Sequence, residues 1–258
     1  MISVVHVTHH YGARPILRDI DLRVEAGEVL AVMGPNGMGK STLLGLMGGT
    51  LWPVRGHVEI AGLRRRASAE IELAIRREVF YLTAEPWLPL RRTGREWILA
   101  VGQLYGVDSV HLLDRMDSLL DVFDLQRAAE GTIGSCSSGQ RKKLALCGML
   151  ASEAPILVLD EPFSGGLDPS GILALKRIFQ RFGQNRSRTL VYSSPVPDVV
   201  EQVATRIIIL GEARIVADGT LETLRTASGA GALEDVYQRL VSPQTLGHLE
   251  AYFKEAKP

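Results

Sequence analysis

The sequence predicts an α/β protein with a mostly parallel sheet, an amino-terminal antiparallel β section and a helical block inserted into the sheet. Three observations carry this. Short β-branched runs alternate with segments of 3.6-residue periodicity, the order of βαβ units with right-handed crossovers. The first thirty residues instead hold three short β patterns separated only by turns at Tyr11-Gly12 and Ala26-Gly27. From about residue 93 to 151, three helical patterns follow one another with no strand between them. A chain of 258 residues, 46% hydrophobic and 22% charged, can bury a core of that size.

Taken in order, strands are expected at residues 2–7, 20–24 and 29–33, the last a solid apolar run (VLAVM) that suits a strand covered on both faces. A helix over 42–47, a strand over 57–60, a helix over 69–77 and a strand over 79–82 come next. The helical block contributes segments 96–105, 112–123 and 141–150. Strands resume at 156–159, 189–193 and 207–210, with helices 172–182 and 198–204 between them and an edge strand at 214–217. Beyond residue 220 the pattern gives two or three short helices, broken at Ser228-Gly229-Ala230-Gly231 and Ser242-Pro243. The expected division is a main domain over 1–225, with the helical insert at roughly 85–152, and a short helical tail over 226–258.

Charge and composition narrow the function. The formal net charge is zero and the pI about 7.0, which argues against nucleic acid as a partner. The clusters Arg64-Arg65-Arg66 and Arg76-Arg77 read as solvated faces. Cys136 and Cys147 make neither a disulfide framework nor a zinc site, and reduced packing residues are expected. No apolar run is long enough to span a bilayer and no leader is evident, so a membrane would be reached through a partner, from a cytoplasmic position.

The chemistry starts at Gly34-Pro35-Asn36-Gly37-Met38-Gly39-Lys40-Ser41, followed by Thr42. A glycine-rich turn between a buried strand and a helix aims backbone N–H groups inward and cradles phosphate oxygens. Gly37 and Gly39 can take positive φ, Lys40 can reach the β- and γ-phosphates, and the Ser41 hydroxyl can ligate magnesium. The expected core is therefore that of a RecA-like P-loop nucleoside triphosphatase. Further on, Ile156-Leu157-Val158-Leu159-Asp160-Glu161 is an apolar strand ending in two carboxylates. Asp160 is expected beside the phosphate loop on a neighbouring strand, holding magnesium, with Glu161 polarising a water. Between these motifs, Cys136-Ser137-Ser138-Gly139-Gln140 opens a helix, with Ser137 or Ser138 as its N-cap.

These three motifs, in this order, resemble the nucleotide-binding subunit of ATP-binding cassette (ABC) transporters, and the resemblance covers nearly the whole chain. Residues 136–140 are similar to that family's signature, with Cys136 in the first position and Ser138 for the first glycine. Asp168-Pro169 resembles its D-loop, with one extra residue ahead of Leu167, and Tyr11 sits where the family stacks an aromatic ring on adenine. The resemblance implies Mg2+ and ATP as cofactors and head-to-tail pairing with a second nucleotide-binding subunit, identical or sister. In that pair Ser137, Ser138, Gly139 and Gln140 would meet the nucleotide held by the partner. Transmembrane permease subunits would receive the closure. The stretches Thr93-Gly94-Arg95-Glu96-Trp97 and Leu233-Glu234-Asp235-Val236-Tyr237 resemble the exporter branch, and the tail is too short for a full regulatory domain.

Two departures alter the expected activity. Ala84 stands where the family has a glutamine sensor, with Glu85 beside it, and Pro195 stands where it has a histidine that contacts the γ-phosphate. Proline has no titratable group and no N–H. Losing such a donor costs on the order of 10²–10³ in rate by analogy with oxyanion-hole deletions. The expectation is an ATPase that turns over slowly through Glu161. The alternative is a nucleotide-binding regulatory subunit that closes on ATP without driving cycles. The segment 85–105, with Trp87, Arg91 and Arg92, is the expected docking surface for the membrane partner.

Overall fold

The computed structural model of the chain describes residues 1–241, which form two sheets and ten α-helices. The smaller sheet is antiparallel, with strands β1 (Ile2–His10), β2 (Pro15–Val24), β4 (Arg55–Ile60) and β5 (Leu63–Arg64) in the order β2-β1-β4-β5. The larger holds β3 (Val29–Met33), β6 (Val79–Leu82), β7 (Ile156–Leu159), β8 (Thr189–Ser193), β9 (Arg206–Gly211) and β10 (Arg214–Gly219). Its order is β10-β9-β3-β8-β7-β6, parallel throughout except for antiparallel β10 at one edge. A bond from the Arg18 N–H to the Ala213 carbonyl at 2.7 Å joins the two sheets.

Helices α1 (Lys40–Gly48), α2 (Ala69–Glu78), α7 (Pro169–Asn185), α8 (Pro197–Val203), α9 (Leu221–Ser228) and α10 (Leu233–Val241) surround the sheets. Between β6 and β7 the chain inserts α3 (Gly94–Leu104), α4 (Ser109–Val122), α5 (Gln126–Glu130) and α6 (Ser138–Ala151). Alternate strand residues feed two cores. Leu30, Val32, Val158 and Val191 pack with α1 and the antiparallel sheet, whereas Ala31, Met33, Leu157 and Leu190 face the helical insert and α7. Cover on both faces is why these strands read as unbroken apolar runs.

The antiparallel sheet departs from expectation. Strands β1 and β2 run to His10 and from Pro15 because register shifts interrupt their alternation, with His6 and Asp19 at φ 47° and 49°. Such bulges place polar residues where a regular strand would bury apolar ones. The short β5 and α5 were not anticipated. Arg65 also differs from the solvated reading. Its side chain is 7% exposed and donates to the Met47 carbonyl at 3.0 and 2.6 Å and to Glu72 at 2.8 Å. It caps the Met47 carbonyl, one of those the end of α1 leaves without an intrahelical donor. Arg64, Arg76 and Arg77 are exposed as expected.

Cys136 and Cys147 are buried and free. Helices α9 and α10 add Leu224, Leu233 and Val236 to the larger core. The expected break at Ser242-Pro243, and any helix after it, lie outside the described residues. Among the described residues β6, at the far edge, pairs only with β7, and its Val79 carbonyl accepts from the Tyr105 hydroxyl at 2.8 Å. Among the described residues, no helix is long and apolar enough to cross a membrane.

Candidate active site

Buried β3 delivers the chain into a turn with φ of 148° at Gly34, 81° at Gly37 and 92° at Gly39. A Cβ at Gly39 would sit 2.9 Å from the Ile16 carbonyl and 2.8 Å from Leu17 Cδ2, so any other residue would push the turn off β2. Helix α1 then begins at Lys40, and the N–H groups of its first turn have no intrahelical acceptor. Lys40 is 5% exposed, and its ammonium donates to the carbonyls of Gly34 at 2.7 Å and Pro35 at 3.0 Å. Tyr11 leans across this turn with its hydroxyl 3.3 Å from Thr42 Oγ1 and its ring largely exposed. Tyr11, Asn36, Gly37, Gly39, Lys40, Ser41, Thr42 and Glu161 line one cleft of about 250 Å³.

The paired acids follow β7. Asp160 was expected on a strand adjacent to the phosphate loop, but β8 lies between β7 and β3. The intervening strand acts as a spacer and supplies Ser193, which is fully buried at its end. The Ser193 hydroxyl donates to Asp160 Oδ1 at 2.6 Å and accepts from the Glu161 N–H at 2.8 Å, so one side chain holds both acids. Glu161 has φ 45°, a left-handed conformation uncommon for glutamate. Burial pulls the Lys40 ammonium below the ordinary lysine range, while the charges of Glu161 and Asp160 oppose that shift. Lysine and acids thus lie within one electrostatic field despite the strand between them.

Ser137 and Ser138 are exposed at the tip of α6, away from this cleft. Ser137 is the N-cap, closing a reciprocal capping box with Gln140 at 3.2 and 2.9 Å. Gly139 abuts the Gly166 carbonyl, where a side chain would collide. Asp168 caps α7 through the Gly171 N–H at 2.8 Å and pairs with Lys143 at 2.8 Å. Ser138, Arg141, Lys142, Gly165 and Gly166 line a second cleft with Ala84 and Glu85. The structure therefore groups Tyr11 and the phosphate-loop residues with Glu161, and leaves the Ser137–Gln140 tip at a separate surface. Pro195 is exposed just beyond Ser193. Sequence reasoning missed Ser193 and Lys142, whose signal was only a serine ending an apolar strand and one cation in a basic run.

The donors fit a polyphosphate, because N–H groups without an intrahelical acceptor, a buried ammonium and hydroxyls line one turn. The remaining Asp160 oxygen and the Ser41 hydroxyl are the hard oxygen ligands a divalent cation takes. Such a cradle, opening at the carboxyl ends of a parallel sheet that carries a helical insert, defines a nucleotide-binding cassette. The chain belongs to the ABC transporter family, whose model matches residues 17–164.

Its relatives agree with that membership. The chain is 30% identical to the daunorubicin resistance ATP-binding protein DrrA3 of Streptomyces coeruleorubidus, over 91% of this chain and 73% of that one. It is 31% identical to the energy-coupling factor transporter ATP-binding protein of Methanoculleus marisnigri, over 88% and 81%. The solved structure of an ATP-binding subunit of an ABC transporter superposes with a TM-score of 0.84 at 29% identity, covering 93% of this chain and 99% of that chain.

Proposed function

We propose that this chain is an ATPase subunit that binds Mg·ATP in the cleft between Tyr11 and Glu161 and drives a membrane export permease. The observation that carries the reading is that Lys40, held by the glycine turn, and Glu161, tied to Asp160 through Ser193, line the same cleft. The turn from Gly34 through Gly39 (with Pro35, Asn36 and Met38) and Thr42 would hold the phosphates, Lys40 would neutralise their charge, and Tyr11 would carry the base. Ser41 and Asp160 would hold the magnesium ion, which supplies charge neutralisation at the phosphates when bound. Glu161 would orient and deprotonate the attacking water.

The exposed α6 tip supports a second copy or a sister chain as partner, with Ser137, Ser138, Gly139, Gln140 and Asp168 at the shared interface. Association would then be linked to nucleotide binding. An exporter is favoured by residues 93–97 and 233–237, and DrrA3 bears a resistance name. The permease would bring the chain to the inner membrane face, docking on the segment that carries exposed Trp87, Arg91 and Arg92.

Equilibrium binding of Mg·ATP and steady-state turnover, for the unaltered chain and Glu161→Gln, test this. The expected outcome is slow turnover that the variant reduces about 100-fold or more, with affinity within a few-fold. Failure of the unaltered chain to bind Mg·ATP, or equal turnover in the variant, overturns the reading. The regulatory alternative rests on Pro195 and Ala84. It would be favoured if cargo movement by the whole complex survived Glu161→Gln.

A further inference from the structure

Helix α6 belongs to the insert, whereas Ala84 follows β6 and Glu161 follows β7 of the main sheet. One side chain joins the three. Lys142 is 3% exposed, and its ammonium donates to the carbonyl of Ala84 at 3.0 Å and to that of Glu161 at 3.2 Å. Its neighbour Lys143 instead pairs with the Asp168 carboxylate at the start of α7. Burial pulls the Lys142 ammonium below the ordinary range, and Asp160 and Glu161 oppose that shift, so it sits in the field of both acids.

Glu161 needs such anchorage. Its left-handed backbone is gripped at the N–H by Ser193, and at the carbonyl by Lys142 and by the N–H and hydroxyl of Ser164 at 3.1 and 2.9 Å. Three of these groups come from the main sheet and its loops; only Lys142 reaches in from the helical insert. A tilt of the insert that draws α6 from β6 and β7 must stretch both of its bonds. The same ammonium would then release the Ala84 segment and one hold on Glu161 together.

We propose that Lys142 is a positioning residue for Glu161, tying the placement of that acid to the orientation of the helical insert. The proposal rests on the reading of the cleft as an ATP site. Its effect is on the arrangement of the acid and not on nucleotide affinity, because no contact of Lys142 reaches the phosphate loop among those described.

The test compares the unaltered chain with Lys142→Met, which keeps length and apolar bulk, and Lys142→Arg, which keeps the charge. For Lys142→Met, kcat is expected to fall about tenfold with the KM for ATP within about twofold, and Lys142→Arg should recover much of the loss. Backbone hydrogen exchange, with and without Mg·ATP, provides the readout that does not depend on turnover. The methionine variant should exchange faster over residues 161–167 and lose the ATP-dependent change over α3, while ATP protection of residues 34–48 persists. Exchange and kcat equal to the unaltered chain, or a fall in kcat matched by lost protection over 34–48, overturns the proposal. If the unaltered chain shows no ATP protection over 34–48, the nucleotide reading itself fails, and the proposal falls with it.

Discussion

Ser193 is the residue on which both acids lean. Replacing it with alanine strips a donor from the Asp160 carboxylate and an acceptor from the Glu161 N–H at a fully buried point. Ser193→Ala is expected to cost about 1–3 kcal/mol of stability, read from urea unfolding, and to lower kcat more than it raises KM. A second prediction concerns pH. The Lys143 ammonium, and then the Gly171 N–H, hold the Asp168 carboxyl below the usual carboxylate range. A depressed folded pKa means stability that is present above the ordinary value of 3.8 and lost as pH falls through the lower folded value. Asp168→Asn should therefore flatten that stretch of the acid limb in a plot of melting temperature against pH, by a modest amount because the carboxylate is half-exposed and screened by water. The phosphate-loop and acid candidates were legible because each motif is contiguous. Ser193 and Lys142 were not, since their contacts span 33 and 58 residues and exist only once the strands are ordered.

At the scale of elements, the bounds of β3, β6, β7 and β8 match the apolar runs in the sequence. Both ends of each are punctuated by glycine, proline or polar residues, and burial on two faces leaves no alternation to misread. Strands β1 and β2 came out short because bulges break the period of two on which such a reading depends. Packing between helices was illegible for another reason: it depends on which faces meet. At the crossing of α6 with α3, a Cβ on Gly148 would lie 2.6 Å from Trp97 Nε1. Two effects oppose each other in Gly148→Ala. Helix propensity favours alanine by about 1 kcal/mol, while overpacking costs about 1–3 kcal/mol against a half-buried indole. Net destabilisation is expected, seen as a lower urea midpoint, with the loss largest in hydrogen exchange of the insert.

For the whole molecule, a ligand that binds only the folded chain must raise its melting temperature. At a hundredfold excess over Kd the gain is about 2.7 kcal/mol. For a domain of this size that corresponds to roughly 5–10 °C. Differential scanning fluorimetry with Mg·ATP should show the rise, and Lys40→Ala should abolish it; an equal rise in that variant would place the nucleotide elsewhere.

The same molecule must also survive unliganded, and here the phenol of Tyr105 has a use unrelated to nucleotide. A parallel sheet that stops at a lone outer strand is a template on which another chain can continue the ladder. By bonding to the first carbonyl of that strand, and lying tilted on Phe80 with 5.7 Å between the rings, Tyr105 occupies an acceptor that a stray strand would use. Helix α3 thereby brings with it a guard against fibrous or amorphous self-association.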